Sequence, residues 1–171
     1  MKHLTFILGG RDSGKSKFAI KHGQTLGEKK YLLATAQALD ENMVQQIELC
    51  KSGRPSDWNT IEESIKVPDV VGFLHKRADV VVIDCVSLWL SNLLIVRSDY
   101  DIKREAELLI ETIKRVDFSV VVVSNEVGCG IVPPDPVSRL FSDTLGPMHQ
   151  KLSALSNEVY FMVAGRPLRV P

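Results

Sequence analysis

The chain has 171 residues, 44% of them hydrophobic, so it is long enough to bury a full core without disulfides or metals. Its 21 basic and 21 acidic residues balance, which argues against a broad nucleic-acid surface, and its three cysteines follow no metal-ligand spacing. No apolar run approaches the ~20 residues that cross a bilayer. We therefore expect one domain over residues 1–171, with no nucleic-acid partner and no transmembrane segment.

The first apolar run begins at Leu4 and leads at once into a glycine-rich loop, where a signal peptide would carry its cleavage site. This arrangement predicts a cytoplasmic protein. Similar β-branched runs, bounded by turn residues, recur along the chain and are typical of parallel strands buried on both faces. They are Leu4 to Leu8, Tyr31 to Thr35, Val80 to Ile83, Val120 to Val123 and Val159 to Val163.

Helix-period segments lie between several of these runs. An amphipathic stretch covers Lys17 to Leu26, and a second helix is expected from Val86 to Leu94. A stripe with charges opposite runs from Ile102 to Ile113, and a further helix begins at Val137. We expect Gly146-Pro147 to break or kink that last helix before it resumes toward Leu155.

Alternating strands and helices predict an α/β fold with a mostly parallel sheet between two helical layers. The last two strand candidates, Val159 to Val163 and Leu168 to Val170, are separated by four residues. That spacing is too short for a crossover helix, so these strands should form a C-terminal antiparallel hairpin.

The loop after the first strand reads Gly9-Gly10-Arg11-Asp12-Ser13-Gly14-Lys15-Ser16, which satisfies the full phosphate-loop pattern. Its glycines let successive backbone N–H groups point at phosphate oxygens, and the following helix adds its positive end. Lys15 would reach the β- and γ-phosphates, and the Ser16 hydroxyl would bind Mg²⁺. The motif predicts binding of a nucleoside triphosphate but does not separate a kinase from a GTPase or an ATPase.

A carboxylate stands at the end of a predicted buried strand, since Asp84 directly follows the run Val80 to Ile83. In phosphate-loop proteins a carboxylate at such a strand end completes the Mg²⁺ shell; the alternative is an aspartate that caps the next helix. Glu126 follows the next strand and should emerge at the same sheet edge, where ligands collect, or else be a solvated loop residue.

Several further segments resemble one family, the bifunctional adenosylcobinamide kinase / adenosylcobinamide-phosphate guanylyltransferases of cobalamin biosynthesis, and the resemblance covers essentially the whole chain. The segments are Ala34-Thr35-Ala36-Gln37 with Asp40-Glu41-x-Met43, Gly53-Arg54-Pro55-x-x-Trp58-x-Thr60-x-Glu62, Asp84-Cys85-x-x-x-Trp89-Leu90-x-Asn92-Leu93-Leu94, the specific run Ser124 to Pro133, and Ala164-Gly165-x-Pro167-Leu168.

The resemblance implies a RecA-like fold, a homo-oligomer, and two reactions that use ATP or GTP with Mg²⁺. The first phosphorylates the aminopropanol hydroxyl of adenosylcobinamide, and the second transfers GMP from GTP to that phosphate, giving adenosylcobinamide-GDP. It also implies Lys15 and Asp84 as catalytic residues and Ser16 and Asp84 as metal ligands. The implied nucleotide site comprises Gly9, Gly10, Arg11, Asp12, Ser13, Gly14, Lys15, Ser16, Ala34, Thr35, Ala36, Lys51, Ser52, Gly53, Arg54, Glu62 and Asp84.

The chain departs from the family pattern at the histidine that forms the covalent GMP intermediate. Counting back from Arg54-Pro55, that position falls on Leu49 and its neighbour on Cys50. We expect Cys50 to be a small buried hydrophobe, the alternative being a substitute nucleophile, and the four histidines, His3, His22, His75 and His149, to be solvated or hydrogen-bonded. Whether this chain transfers a guanylyl group is therefore an open question. Phosphoryl transfer is less affected, because it needs no covalent intermediate. The alternatives are another small-molecule kinase and a nucleotide-binding module without transferase activity.

Overall fold

The computed structural model describes residues 1–37, 55–96 and 101–171, and their strands form one seven-stranded sheet. The strand order is β3-β2-β4-β5-β1-β6-β7, and all neighbours pair in parallel except β6 and β7. The strands are β1 (Leu4–Gly9), β2 (Lys30–Ala34), β3 (Asn59–Glu62), β4 (Val80–Asp84), β5 (Ser119–Asn125), β6 (Glu158–Val163) and β7 (Arg166–Val170).

The helices cover both faces of the sheet, as the buried central strands β1, β4 and β5 require. They are α1 (Lys15–Gly23), α2 (Val67–Phe73), α3 (Val86–Val96), α4 (Ile102–Arg115) and α5 (Pro136–Leu155). Successive residues of a strand enter different clusters, so that Phe6 packs with the residues of α3, α4 and α5, whereas Ile7 packs with Ala19 of α1. The sheet is thus the middle of three layers, and the predicted fold class is confirmed.

The caps of two helices agree with their sequences. Asp101 precedes α4 and accepts a hydrogen bond from the backbone N–H of Arg104, and Asp135 does the same for Ser138 at the start of α5. In α4 the predicted stripe, which includes Ala106 and Leu109, is buried. None of the helices in the described part of the chain has the length and hydropathy needed to span a membrane.

Of the two outcomes expected at Gly146-Pro147, a break or a kink, the break is wrong, because α5 continues from Pro136 to Leu155 with Pro147 inside it. Pro147 removes the hydrogen bond to the carbonyl of Asp143. Both residues are exposed, so water can satisfy that carbonyl, while Leu145 and Met148 on the other face are buried and hold the helix in place.

Two elements were not predicted from the sequence. Strand β3 is short and largely exposed, with Ile61 as its only apolar residue, so it lacks the apolar run that marked the other strands. Helix α2 has only seven residues, too few for a clear helical period. The six strand candidates that were predicted, including the C-terminal hairpin, are present within two residues of the expected limits.

Candidate active site

The parallel strands bring their carboxyl ends to one edge of the sheet. Gly9 at the end of β1 pairs with Asn125 of β5, and Asp84 at the end of β4 pairs with Ala34 of β2. The predicted phosphate loop leaves β1 at this edge and leads into α1. The strand-end residues that the sequence singled out are therefore neighbours in space, at the edge where α/β proteins bind ligands.

Glycine is required at two positions of the loop. A Cβ on Gly9 would lie 2.7 Å from the backbone oxygen of Met162 on β6, closer than real Cβ contacts. Gly14, at the start of α1, has a φ of +91°, which side chains other than glycine rarely adopt. Asp12 also has a positive φ, of 54°. The backbone therefore curls tightly over residues 9–14, as a phosphate-binding loop must.

The side chain of Lys15 lies inside this curl. Its ammonium group donates a hydrogen bond to the backbone oxygen of Gly10 at 2.5 Å and lies 3.5 Å from the hydroxyl oxygen of Ser13. Burial lowers the pKa of Lys15 from its usual value, and the nearby carboxylates of Asp84 and Asp12 oppose that shift. Burial removes water that would stabilise the charged ammonium group, and a phosphate oxygen would take the place of that water.

Asp84 and Ser16 carry side-chain oxygen atoms of the kind that bind a magnesium ion. Asp84 is half-buried at the end of β4 with its charge acting on Lys15, and Ser16 lies in the first turn of α1. Carboxylate and hydroxyl oxygens are hard ligands of the kind that Mg²⁺ takes beside substrate phosphates.

Thr35 is fully buried, and its hydroxyl is engaged by the protein itself. The hydroxyl donates to the carbonyl of Cys85 and accepts from the backbone N–H of Cys85, each at 2.8 Å. Its own backbone N–H donates to the carbonyl of Asp84 at 3.0 Å, and its carbonyl accepts from the amide of Asn92 at 2.7 Å. Thr35 therefore fixes the end of β2 against the end of β4, and any effect on a nucleotide would come through that positioning.

The remaining predicted residues are placed at different depths along the edge. Ala34 is buried, Ala36 is half-buried, and Glu62 ends β3 beside Ala34. The exposed pair Arg11 and Asp12 approaches to 3.6 Å at the tip of the phosphate loop. Two groups of predicted residues lie outside the described part of the chain. They are the nucleotide-site residues Lys51, Ser52, Gly53 and Arg54, and the family histidine position Leu49 with its neighbour Cys50.

Contacts from distant parts of the chain, which the sequence did not predict, complete the loop. The backbone N–H of Gly165, in the turn between β6 and β7, donates to the carbonyl of Ser13 at 3.0 Å. The backbone N–H of Glu126 donates to the carbonyl of Gly9, also at 3.0 Å. Both residues belong to the family-like segments, which is the signal that pointed to them; the contacts themselves depend on the tertiary fold.

The histidines are engaged by other groups, as expected. His3 and His22 both contact Glu158, and His75 lies 3.1 Å from Asp117 on the surface. His149 shares a 2.7 Å hydrogen bond with Ser124 and is buried, which lowers its pKa to about 4, and the charge of Glu126 only partly offsets that effect.

The buried thiol of Cys85 is a poor nucleophile. Burial, reinforced by Asp84, raises the pKa of Cys85 to about 11, so the unreactive thiol predominates at neutral pH.

A glycine-rich loop with a buried lysine, set between a central strand and a helix of a covered, mostly parallel sheet, defines a phosphate-loop protein with a RecA-like fold. The solved RadB recombinase has this fold, with a TM-score of 0.54 at 17% identity over 93% of this chain and 73% of that one. A solved ATPase domain also has this fold, with a TM-score of 0.54 at 12% identity. The match covers 94% of this chain and 69% of that one.

The chain belongs to the family described as cobinamide kinase / cobinamide phosphate guanyltransferase, which it matches over residues 5–170. It is 35% identical to the bifunctional adenosylcobalamin biosynthesis protein CobP of Pseudomonas aeruginosa, over 95% of this chain and 94% of that protein. It is 33% identical to the bifunctional adenosylcobalamin biosynthesis protein CobU of Escherichia coli, over 98% of this chain and 99% of that protein.

Proposed function

We propose that this chain is an adenosylcobinamide kinase that transfers the γ-phosphoryl group of ATP or GTP to the aminopropanol hydroxyl of adenosylcobinamide. The observation that carries the proposal is the buried Lys15 inside an intact phosphate loop, in a chain that matches the family over residues 5–170. Phosphoryl transfer depends on positioning and charge stabilisation, and both are available at this edge of the sheet.

The residues of the site take complementary parts in this proposal. The backbone N–H groups of residues 9–14 hold the phosphates, and Lys15 exchanges its contact with the carbonyl of Gly10 for one with the β- and γ-phosphate oxygens. Ser16 and Asp84 would hold Mg²⁺, which neutralises charge that develops on the transferred group. Glu62 and the segment Lys51 to Arg54 are proposed to contact the nucleotide, as the family resemblance implies.

Transfer of GMP to adenosylcobinamide phosphate is the second candidate activity, and the bifunctional names of the relatives favour it. In the family this step passes through a histidine, for which this chain has Leu49 followed by Cys50. The four histidines of the chain are engaged elsewhere, and Cys85 is a buried thiol. We therefore propose that the kinase step is the activity this chain retains.

The test uses purified protein with Mg²⁺, adenosylcobinamide and GTP labelled at either the α- or the γ-phosphate. We expect label from the γ-phosphate in the corrinoid and none from the α-phosphate in corrinoid or protein. Lys15→Ala should reduce γ-transfer by roughly 10²–10³-fold because a charge contact in the transition state is lost. Lys17→Ala, which removes an exposed lysine two residues further along α1, should leave γ-transfer unchanged.

In the same assay Leu49→His should create acid-labile α-label on the protein and a GDP-corrinoid product. Acid-labile α-label on the wild-type protein would contradict the loss of the second step, and peptide mapping would identify the residue that carries it. Phosphorylation of simple alcohols or nucleosides in preference to adenosylcobinamide would mean a different small-molecule kinase. Tight GTP binding with no turnover would mean a nucleotide-binding module.

We also propose a cytoplasmic homo-oligomer in which residues 1–171 form one domain. The sheet draws strands from both ends of the chain, from Leu4 to Val170, which supports a single domain. The loop between β5 and α5 presents apolar side chains to solvent, with Ile131 98% and Val132 74% exposed, followed by Val137 on the first turn of α5. Contiguous exposed apolar residues of this kind mark subunit contacts. Light scattering of the purified chain measures the oligomer size.

A further inference from the structure

Three metal-ligating side chains meet at the opposite end of the sheet from the phosphate loop. His3 directly precedes β1, His22 lies in the last turn of α1, and Glu158 is the first residue of β6. β1 and β6 are neighbours, and Thr5 of β1 pairs with Glu158. Since β1 has six residues, this cluster lies about 17 Å along the strand from Gly9.

The spacing of the ligand atoms suits one metal ion. The Nε2 atoms of His3 and His22 lie 3.4 and 3.3 Å from the same oxygen, Oε2 of Glu158, and all three atoms lie within 4.8 Å of one another. Around a tetrahedral Zn²⁺ with bonds of ~2.0–2.2 Å, ligand atoms are ~3.3–3.5 Å apart. Two of the three separations therefore already have the value that a bound ion requires.

Neighbouring groups orient the carboxylate for this role. The hydroxyl of Tyr160 donates to the other oxygen, Oε1 of Glu158, at 3.2 Å, and the guanidinium of Arg169 lies 3.6 Å from the same oxygen. These contacts turn Oε2 toward the two histidines, as outer-shell partners of metal sites do. Phe18 stacks on the ring of His22 with the centroids 5.8 Å apart, which holds the imidazole in its orientation.

The backbone positions of the cluster are also fixed. The carbonyl of His3 accepts from the N–H of Val120, and the backbone N–H of Asn157, beside Glu158, donates to the carbonyl of Leu4, each at 2.8 Å. The side chains remain 31%, 16% and 21% exposed for His3, His22 and Glu158, so an ion can reach them and water can supply a further ligand. Binding would replace the 3.0 Å hydrogen bond between Thr5 and Nε2 of His22.

We propose that His3, His22 and Glu158 bind one divalent transition-metal ion of the Zn²⁺ type, at a site separate from the phosphate loop. Two imidazoles and one carboxylate form a ligand set that zinc sites use, whereas Mg²⁺ prefers oxygen ligands alone. The ion would connect the start of β1, the end of α1 and the start of β6. Its occupancy should therefore stabilise the fold without a requirement for nucleotide.

The test is calorimetric titration of the metal-free full chain with ZnCl₂ in the presence of excess Mg²⁺, followed by thermal unfolding. We expect one Zn²⁺ per chain and a rise in Tm of roughly 5–10 °C at a free Zn²⁺ concentration about 100 times the Kd. His22→Ala should weaken binding at least about tenfold and remove the rise in Tm. Glu158→Gln, which keeps the size of the side chain, should do the same while preserving the fold.

His75→Ala is the matched control, because it removes a half-exposed histidine that pairs with Asp117 and does not belong to the cluster. It should bind Zn²⁺ as the wild type does. Stoichiometric binding that survives in both His22→Ala and Glu158→Gln would overturn the proposal, as would the absence of stoichiometric binding to the wild type. Because the readouts are metal affinity and Tm, neither outcome depends on the kinase activity proposed above.

Discussion

The two ends of strand β1 carry different kinds of polar group. At the carboxyl end, Gly9 leads into a curled loop followed by the buried Lys15, whose ammonium group contacts the carbonyl of Gly10. At the amino end, His3 joins His22 and Glu158 in a cluster built entirely from side chains. One strand thus connects a curled backbone suited to phosphate with a side-chain cluster suited to an ion of the Zn²⁺ type.

This difference determines how each end depends on the rest of the molecule. The carboxyl end requires close backbone packing at Gly9 and a positive φ at Gly14, so it tolerates almost no change at either glycine. The amino end requires only that three side chains point to one place, and it is partly exposed. We therefore expect substitutions of Gly9 and Gly14 to affect folding, and substitutions in the amino-end cluster to affect ligand affinity.

The largest effect is expected from Gly9→Ala. The new Cβ would meet the backbone oxygen of Met162 at 2.7 Å, so β1 and β6 must separate, and we expect a loss of about 2–3 kcal/mol in the free energy of unfolding. Gly10→Ala is the control, because a Cβ there meets nothing within 4 Å and should change stability by less than about 0.5 kcal/mol. Urea denaturation measures both, and equal stabilities would contradict the backbone explanation.

An intermediate effect is expected from the titration of His149, which flanks the carboxyl end. Its pKa falls from 6.5 to about 4 on folding, so between these values the unfolded chain binds the additional proton. Stability should therefore fall as the pH drops through this window, by on the order of 2 kcal/mol from about pH 7 to about pH 4.5. The measurement is urea denaturation at both pH values for the wild type and His149→Asn.

The Asn variant has no titrating group at this position, so its loss of stability should be smaller by the contribution of His149. Groups elsewhere titrate equally in both proteins and cancel in the difference. An equal loss in wild type and variant would show that the buried imidazole of His149 is not the group responsible.

The smallest effect is expected from Glu158→Gln in metal-free protein. Its contacts with His3, His22 and Arg169 are partly exposed, and such ion pairs contribute about 1 kcal/mol or less to stability. Chelator-treated wild type and variant should therefore unfold at nearly the same denaturant concentration. A loss comparable to that of Gly9→Ala would mean that the amino end is itself a folding element, and the contrast between the two ends would not hold.

The sequence predicts the carboxyl end better than the amino end for a physical reason. The phosphate loop is contiguous, because neighbouring backbone groups bind the phosphates, so its pattern can be read directly over Gly9 to Ser16. Asp84 is also predictable, since a buried strand leads to it. His3, His22 and Glu158 are separated by up to 155 residues, and only the pairing of β1 with β6 and the position of α1 bring them together.

The fold itself was predictable wherever a strand was buried on both faces. The polar strand β3 and the short helix α2 carried too little hydrophobic pattern to be recognised. Thr35 illustrates a further limit: its segment was identified, but its hydroxyl binds the backbone of Cys85, 50 residues away, which no local pattern reveals. The residues that would decide the guanylyl step, around Leu49, lie outside the described part of the chain.

The hydrogen bond from the Gly165 N–H to the Ser13 carbonyl makes the C-terminal hairpin a reporter of the phosphate loop. When phosphates order the loop, the opening motions that expose this amide to solvent must become rarer. Deuterium uptake at Gly165 should then slow on nucleotide binding, while the strand-end amide of Val170, farther from the loop along β7, keeps its rate. Occupancy of the site can thus be followed from the last residues of the chain, without a label on the nucleotide.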